Sequence, residues 1–589
     1  MSRLLRNSFG AATVLLVLLL VVTACGGDDP PTATPTSRPP TAAPTQAPTA
    51  AATSAPAAAP TATPTLAPTA TPAPTATPNP QIPRRLDGKR GGTLNLRVLN
   101  LPRSWDTYDT VGQVDFHNLG PMLNNLIWPD PYGNGFSLTG DLAQSWQVAS
   151  TGDTITFQLR PGVKFHDGTA FTSKDVAYNL TRAWKPRAPT MTYYQARVSS
   201  IQSIETPDDL TVRVRLAAPS NAFLQGIGMA GVLMYPSSQP FPEQLDAWKK
   251  APIGTGPYRY KGSTATTMEF TRNDAYHVAA LPYADSILFN VIADTTLAVA
   301  AFRAGRLDAS NFDTSAIEIS YQDLQREHRF VTKKVNIGLY FLHPAQKAPW
   351  TNPAVRQAVS LFLNRQEIID GWLKGLGDMA AAPLMPPELG GQWGLSSRDM
   401  LSRPGFSSDK TADRARARQL LTQAGVKPEE VTVSILAAQG GDGLYGEIVE
   451  RSFAAMGFKT KLDLVDRANL VPKLLRGEFD FAARAQAISF DDPSDYPSLW
   501  VLTGGGQNYG KWSNPRLDAL YAEQDRTLDI PRRKQLLAEF QEIILQDNFV
   551  IPEFYRFGYM GHMPWVKNYP SLPFLFSPWY RWEQVYLER

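Results

Sequence analysis

From residue 91 onward, short segments alternate between apolar and polar positions, which predicts half-buried β-strands. The predicted strands are Thr93–Val98, Thr154–Leu159, Leu210–Leu216, Ser286–Ile292, Gly338–Leu342, Val431–Leu436 and Lys459–Val465. Between them, apolar residues recur at helical spacing from Asn352 to Trp372, from Asp413 to Ala424, after Asn514 and after Pro531. This mixed order, without a short internal repeat, favours α/β lobes over a helical bundle or an all-β array.

The N-terminus has the pattern of a bacterial export signal. Two basic residues, Arg3 and Arg6, precede an apolar run that is too short to span a ~30 Å hydrocarbon layer as a stable helix. The run ends in Val-Thr-Ala-Cys, which resembles a lipobox whose cysteine, Cys25, accepts a diacylglycerol. We therefore expect residues 1–25 to be a lipoprotein signal peptide, and the acyl chains on Cys25 to anchor the protein stably. An ordinary secretory signal with a chance cysteine is the alternative.

Residues 26–87 consist mostly of Pro, Thr and Ala. Such a composition cannot bury enough apolar surface to fold, and it favours an extended, disordered chain. We expect a tether that lifts the folded part away from the lipid surface. A spacer of no required length is the alternative.

Composition argues against several kinds of site. The 589 residues carry a formal net charge of only +3, which does not indicate a nucleic-acid-binding surface or a polybasic membrane patch. The single cysteine, Cys25, rules out an intramolecular disulfide. The six histidines are scattered without the spacing of a zinc site, so we expect no metal centre and no cofactor.

Several phrases along the chain occur in an order that is similar to a known family. They are Gly91–Leu94, Asp141–Trp146, Phe157–Gly168, Phe171–Val176, Pro252–Tyr258, Arg272–Tyr276, Phe302–Asp308, Val355–Val359 and the pair Ala424-Gly425. On these phrases the chain resembles the family 5 extracellular solute-binding proteins, the dipeptide, oligopeptide and nickel-binding group. Two phrases also have a structural interpretation, with residues 166–168 as a turn and residues 254–257 as a tight backbone passage that a side chain would obstruct.

The resemblance implies an α/β fold of the two-lobed periplasmic-binding-protein type (type II, large cluster with an extra subdomain). Two hinge strands would join the lobes, with one crossing near Val335–Phe341 and the return near Val550–Tyr555. The first lobe would comprise residues 88–334 and 551–589, and the second lobe residues 335–550. A ligand would bind in the cleft between the lobes, and the closed form would dock on the permease of an ABC importer. No Walker motif occurs, so the ATPase would be a separate chain, and closure requires only a monomer.

The resemblance also suggests where the ligand is held. In peptide-binding members, an aspartate just before a "DP" or "EP" step binds the α-ammonium group of the ligand. If Asp492-Pro493 is aligned with that step, Ser489 takes the place of the aspartate, and this departure argues against a peptide ligand. A shift of one or two residues would let Asp491 serve instead. A plain loop turn at Asp492-Pro493 is the alternative.

Five further residues are candidates for polar or aromatic contacts with the ligand, and they are Tyr108, Trp393, Asn508, Tyr509 and Trp512. Tyr509 or Trp512 could stack on a ligand, although packing beneath the following helix would explain them equally well. Aromatic platforms suit sugar rings as well as apolar side chains, so they do not decide the ligand class.

We expect a binding protein that captures peptides. Alternatives with the same fold bind an oligosaccharide, an opine-like solute or a metal chelate, and an alternative of another class is a surface sensor or adhesin without transport. An exported hydrolase is not favoured, because the chain has neither a Gly-x-Ser-x-Gly nor a His-Glu-x-x-His motif and lipidation would remove its only thiol.

Overall fold

The computed structural model describes residues 87–102, 104–109, 117–130, 138–185, 195, 198–228, 232–240, 243, 245–312, 331–486, 488, 491–495, 497–569 and 582–589. All of these residues belong to one compact unit. The predicted signal peptide with Cys25, the tether up to residue 86, and Ser489 lie outside the described residues.

The described part of the chain contains nineteen β-strands: β1 Thr93–Val98, β2 Ile127–Pro129, β3 Leu138–Gly140, β4 Ala143–Val148, β5 Thr154–Leu159, β6 Ile201–Asp208, β7 Thr211–Leu216, β8 Tyr258–Ser263, β9 Thr267–Arg272, β10 Ser286–Val291, β11 Ala309–Phe312, β12 Val331–Pro344, β13 Gly377–Asp378, β14 Thr432–Ala438, β15 Lys459–Val465, β16 Phe481–Gln486, β17 Ile551–His562, β18 Val566–Lys567 and β19 Tyr586–Leu587. Each of the seven predicted strands lies on one of them, and these predictions are confirmed.

The same residues form thirteen α-helices: α1 Ser173–Trp184, α2 Asn221–Ile227, α3 Leu245–Lys250, α4 Thr295–Arg303, α5 Pro353–Phe362, α6 Arg365–Leu373, α7 Ser397–Leu401, α8 Thr411–Gln423, α9 Gly441–Ala455, α10 Arg467–Arg476, α11 Pro497–Val501, α12 Pro515–Arg526 and α13 Ile530–Asp547. The single helix predicted from Asn352 to Trp372 is wrong, because it is two helices. The backbone leaves the helical conformation at Leu363 and is extended at Asn364, whose side chain caps α6 by accepting a hydrogen bond from the Glu367 amide.

One large mixed sheet runs through the folded part, in the order β15-β14-β16-β12-β17-β11-β1-β10-β9-β8. At its centre β12 and β17 pair antiparallel from Val331↔His562 to Leu342↔Ile551. The start of β12 pairs with the part of β17 that also pairs with β11. The end of β12 pairs with β16. These two strands therefore connect the two halves of the sheet.

A register shift interrupts the pairing between Asn336 and Gly338, opposite Phe557 and Arg556. We refer to the residues before this shift in β12 and after it in β17 as the first lobe, and to Gly338–Arg556 as the second lobe. The shift lies within the crossing predicted at Val335–Phe341. The exact bounds of the lobes stay a prediction.

The first lobe carries an additional four-stranded antiparallel sheet, in the order β4-β5-β7-β6. Helix α1 packs against it and is fixed at its start by a capping box between Thr172 and Asp175. The carboxylate of Asp175 also accepts hydrogen bonds from the backbone and the hydroxyl of Ser237. Asp175, which lies in the family-like phrase Phe171–Val176, thus connects α1 to the loop that carries Ser237.

The predicted tight passage at residues 254–257 is confirmed. A Cβ atom on Gly254 would lie 1.9 Å from the carbonyl oxygen of Met122, and one on Gly256 would lie 2.3 Å from the carbonyl carbon of that residue. His166 reinforces the passage, because its Nδ1 accepts from the Gly254 amide and its Nε2 pairs with the Gly256 carbonyl oxygen at 3.0 Å. Burial lowers the pKa of His166 to about 4, so the imidazole is neutral at physiological pH.

The sheet of the second lobe is covered on both faces. Successive residues of β12 point to opposite sides, so Tyr340 and Leu342 pack under α5, α6, α8 and α9, whereas Leu339 and Phe341 pack under α11, α12 and α13. A smaller cluster, which includes Leu474 of α10, covers β14 and β16 on the second of these faces. Each lobe therefore has its own core.

Glu553, on the hinge strand β17, is fully buried. Neither of its carboxylate oxygens has a hydrogen-bond partner among the described residues, and the nearest cation is Nη2 of Arg365 at 3.9 Å. Burial raises the pKa of Glu553 to about 7, although the charges of Arg365 and Lys410 favour the ionised form.

We expect Glu553→Gln to remove a pH dependence of stability. Because the pKa of Glu553 is raised on folding from 4.5 to about 7, its stabilising contribution is complete below 4.5 and is lost as the pH rises through 7. The free energy of unfolding of the native chain should therefore fall relative to the variant by up to about 3 kcal/mol between pH 5 and pH 8.

Urea denaturation at the two pH values measures this difference. The exposed Glu429→Gln variant is the control and should follow the native chain. Equal pH dependence in Glu553→Gln and the native chain would contradict the prediction.

Candidate functional site

The carboxyl ends of the second-lobe strands face the first lobe. Strands β14 and β15 run parallel, and β14 also runs parallel to β16. Strand β12 enters from the first lobe and is antiparallel to β16, with Leu339 opposite Gln486 at the end of that strand. In open α/β sheets the crevice beyond the carboxyl ends of parallel strands is where ligands bind. The space between this edge and the first lobe is therefore the candidate site.

The two lobes touch through the start of α2 and the end of α12. The side-chain amide nitrogen of Asn221 lies 2.9 to 3.1 Å from the carbonyl oxygens of Gln524, Asp525 and Thr527. The Asp525 carboxylate in turn accepts from the Ser220 hydroxyl and from the Ala222 amide, each at 2.8 Å. We call this group the clasp, and it consists of residues 220–222 of the first lobe and Gln524, Asp525 and Thr527 of the second.

The clasp is a polar contact between the two lobes. Burial raises the pKa of Asp525, while the hydrogen bonds from Ala222 and Ser220 favour its ionised form. Nearby, Leu528 lies against the Gly152–Pro219 region of the additional sheet. The described arrangement is thus one in which the lobes are in contact on one side of the hinge.

Asp491, Asp492 and Trp393 are held by groups of the second lobe. Nη2 of Arg533 donates to the Asp492 carboxylate at 2.7 Å, and both side chains are almost fully buried. The Asp491 carboxylate accepts from the backbone amide of Gln392, and burial raises its pKa. The indole of Trp393 donates to the Asp491 carbonyl oxygen at 3.0 Å, and the Arg533 guanidinium lies 4.3 Å from the indole centroid. These three candidates form a structural network.

Asn508 and Trp512 also have partners within the second lobe. Asn508 donates to the carbonyl oxygens of Leu502 and Trp512 and accepts from the Trp512 amide, which closes the loop on itself. The Trp512 indole donates to the Pro344 carbonyl oxygen at 2.9 Å, with the Arg356 guanidinium 4.4 Å from its centroid. Trp512 therefore packs next to the following helix, α12. This is the second of the two interpretations given for it above.

Tyr108 lies in the core of the first lobe and is 3% exposed. Its hydroxyl donates to the Leu233 carbonyl oxygen at 3.2 Å, and the Arg182 guanidinium lies 4.4 Å from its ring centroid. Arg182 is paired with Asp106, so the charge next to Tyr108 is compensated. Burial raises the pKa of Tyr108 well above its ordinary value.

Tyr509 belongs to a group that the sequence analysis missed. The guanidinium of Arg484, on β16, lies 4.6 Å from the Tyr509 ring centroid and 5.7 Å from that of Phe341. The ring of His343, on β12, is 6.3 Å from Tyr509. Only Gln507 accepts a hydrogen bond from Arg484 among the described residues, at 3.3 Å. We call Arg484, His343, Gln507 and Tyr509 the arginine cluster.

The sequence does contain a signal for this cluster. Arg484 interrupts the otherwise apolar start of β16, Phe-Ala-Ala-Arg-Ala-Gln, two residues before the strand ends. A charged residue next to buried apolar ones on a strand is uncommon unless it has a counter-ion or reaches solvent, and Arg484 is partly exposed.

The described residues contain neither a helix long and apolar enough to cross a membrane nor a group of three or more His, Cys, Asp or Glu side chains that could hold a metal ion.

Comparison with a family model and with individual proteins points to binding proteins in each case. Residues 137–508 match the model of the bacterial extracellular solute-binding proteins, family 5. The chain is 26% identical over 469 residues to heme-binding protein A of Haemophilus influenzae, covering 74% of this chain and 83% of that protein. It is 26% identical over 521 residues to di/tripeptide-binding protein 1 of Pseudomonas aeruginosa, covering 81% and 92%.

Among solved structures, the chain is similar to the ABC transporter-associated periplasmic binding protein DppA of Helicobacter pylori in complex with the peptide STSA. The TM-score is 0.71 at 22% identity, with 85% of this chain and 99% of that chain covered. This likeness confirms the predicted two-lobed α/β fold.

We expect Asn221→Ala to shift the molecule toward an open arrangement. The substitution removes the amide that contacts three carbonyl oxygens across the clasp, and one net hydrogen bond is worth about 1 kcal/mol, or roughly fivefold in the open–closed equilibrium. Nitroxide labels at Leu297→Cys and Leu475→Cys, both exposed and in different lobes, report the separation by double electron–electron resonance in a Cys25→Ser background.

Asn469→Ala is the matched control, since its side-chain amide donates to Asp466 within the second lobe. An unchanged distance distribution in Asn221→Ala, together with a lowered melting temperature, would mean that Asn221 only supports folding.

Proposed function

Because the chain belongs to family 5 of the bacterial extracellular solute-binding proteins, we propose that it captures peptides between its two lobes and delivers them to the permease of an ABC importer. Members of this family are binding proteins, and we propose no catalytic step for this chain. The ATPase is a separate subunit, and the binding protein acts as a monomer.

The clasp is the observation that supports capture by closure. Contacts between α2 and α12 are made only when the lobes meet, and the continuous strands β12 and β17 leave a hinge as the route by which they meet. A ligand that touches both lobes binds only the closed form, and therefore shifts the equilibrium toward it. Docking on a permease can then distinguish the loaded protein from the empty one.

The peptide class is supported by two of the compared proteins, which are a di/tripeptide-binding protein and a binding protein in complex with the peptide STSA. The heme-binding relative keeps other solutes open, and an oligosaccharide, an opine-like compound or a metal chelate is the alternative. Asp491 and Asp492 already have partners in the second lobe, so of the predicted cleft residues Tyr509 is the one that the geometry favours as a ligand contact.

For localisation, we propose an extracytoplasmic protein held at the membrane by lipid on Cys25. The support is the apolar run followed by Val-Thr-Ala-Cys and the Pro/Thr/Ala-rich segment up to residue 87. A surface sensor or adhesin would carry the same anchor. It would differ from a transport protein in that the bound solute is not imported.

Ligand capture is tested by thermal denaturation of the full-length protein against di- to pentapeptides, oligosaccharides, opine-like acids and metal chelates. A ligand at a hundredfold over its Kd adds about 2.7 kcal/mol to the free energy of unfolding, which raises the melting temperature measurably. We expect short peptides to give this response. A response only to another class would retire the peptide proposal, and silence from every class would contradict capture itself.

Anchoring is tested by Cys25→Ser. We expect the variant to lose incorporation of labelled fatty acid and to move from the membrane fraction to the soluble fraction, because no other cysteine can carry the lipid. Thr23→Ala keeps a small residue before the cysteine and should remain in the membrane fraction. Membrane retention of Cys25→Ser would show that another feature anchors the chain.

A further inference from the structure

A buried ion pair of the second lobe is connected to the clasp. Nη2 of Arg533, on α13, donates to the Asp492 carboxylate at 2.7 Å, and the two side chains are 5% and 2% exposed. Nε of the same guanidinium donates to the side-chain oxygen of Gln524 at 2.9 Å. Gln524 is itself a clasp residue, since its carbonyl oxygen accepts from the side-chain amide of Asn221. Arg533 therefore connects the loop of residues 491–495 to the contact between the lobes.

In the clasp, each lobe caps a helix of the other. Ser220 precedes α2 but makes no capping hydrogen bond within that helix, and its hydroxyl donates to Asp525 instead. The Ala222 amide, one of those that an N-cap side chain usually satisfies, also donates to Asp525. In return, the Asn221 side chain donates to carbonyl oxygens at the end of α12. The Asp525 carboxylate thus takes the role of an N-cap from the opposite lobe.

The strength of this contact depends on the charge of Asp525. Both of its carboxylate oxygens act as acceptors, and an ionised carboxylate accepts hydrogen bonds more strongly than a neutral carboxyl group. Burial opposes ionisation and raises the pKa of Asp525, whereas the hydrogen bonds from Ala222 and Ser220 lower it. Closing the lobes over Asp525 therefore has a free energy that depends on the other charges near this carboxylate.

Two charges of the second lobe act on Asp525 with opposite signs. Besides burial and the two hydrogen bonds, Asp492 raises the pKa of Asp525 by charge repulsion, and Arg533 lowers it by attraction. Because Asp492 and Arg533 are paired, their effects on Asp525 partly cancel. In an open arrangement Asp525 would face water and salt, which screen both effects. The balance within the ion pair therefore acts mainly on the closed arrangement.

We propose that the Asp492–Arg533 pair sets how firmly the lobes are held together without a ligand, because Arg533 stabilises the Asp525 carboxylate at the clasp and Asp492 limits that effect. The inference rests on the capture by closure proposed above, and it names the residues that tune closure. Asp492 and Arg533 are positioning residues in this scheme, since they act through Asp525.

The two partners of this ion pair should shift the lobes in opposite directions. Arg533→Gln leaves Asp492 unopposed beside Asp525 and should move the open–closed equilibrium toward the open form by roughly two- to tenfold. Asp492→Asn leaves Arg533 unopposed and should move it toward the closed form by a similar factor. Each change leaves one buried charge without its partner and should lower the melting temperature. A merely structural ion pair would also lower it, but would not give shifts of opposite sign.

The separation of the lobes is measured on the full-length protein without ligand. Double electron–electron resonance between nitroxide labels at Leu297→Cys and Leu475→Cys, in a Cys25→Ser background, gives the distance distribution. In an added Asp525→Asn background, which keeps a side-chain acceptor but removes the charge, the opposite shifts should disappear.

Arg403→Gln is the matched control for the loss of an arginine. The Arg403 guanidinium also donates to a carboxylate of α13, that of Glu542, at 2.8 Å, and this pair is not part of the clasp. The variant should keep the distance distribution of the native protein.

Gln524→Glu tests the same balance while the ion pair is kept, and it decides the proposal if a single charge variant does not fold. The side-chain nitrogen of Gln524 has no hydrogen-bond partner among the described residues, so the change breaks no bond, and the new carboxylate still accepts from Arg533. The added anion beside Asp525 should open the lobes, but not in the Asp525→Asn background.

Several results would overturn the proposal. They are shifts of the same sign in Arg533→Gln and Asp492→Asn, shifts that persist in Asp525→Asn, and a distribution that no charge change alters. A native distribution that is entirely open would also overturn it, because the clasp would then not hold the lobes without a ligand. Each of these results leaves ligand capture intact, since capture is decided by the response of the melting temperature to ligands.

Discussion

The pairing of β12 with β17 is the constraint on which the rest of the molecule depends. The two strands share a ladder over most of their length, so the sheets of both lobes are parts of one hydrogen-bonded structure. Each lobe also has its own apolar core, and both cores resist deformation because protein interiors are close-packed. The ladder is irregular at two places, between Asn336 and Gly338 and between Tyr340 and Phe341, and the first of these separates the two lobes. At the clasp, the lobes meet through a few polar contacts.

The second lobe contains several buried charges, and it satisfies them in different ways. Arg533 has a carboxylate partner in Asp492. Arg365 is held mainly by carbonyl oxygens, those of Ser360, Gly405 and Pro552, and has the more distant Glu553 as a charge partner. Arg484, which is only partly buried, has neither arrangement among the described residues and donates to Gln507 instead.

Much of the fold could be predicted from sequence, since alternation and capping residues are local signals. Predicted and observed strands agree from Thr93 to Val98 and from Lys459 to Val465, and Asn514 caps α12 as its position before Pro515 suggested. Strand β12 was predicted only over residues 338–342, because the earlier part, Val331–Ile337, includes two consecutive lysines that break the alternation. The strand is longer because it pairs with β17, more than two hundred residues further along the chain. A local sequence pattern carries no information about that contact.

The site was less predictable for the same reason. Whether a carboxylate is free to hold a ligand depends on partners that are distant in sequence, and Asp492 meets Arg533 across forty-one residues. Likewise, the indole of Trp512 is engaged by the Pro344 carbonyl, 168 positions away. Arg484 was passed over because Phe-Ala-Ala-Arg-Ala-Gln does not alternate, and the cost of its charge becomes visible only when the surroundings are known.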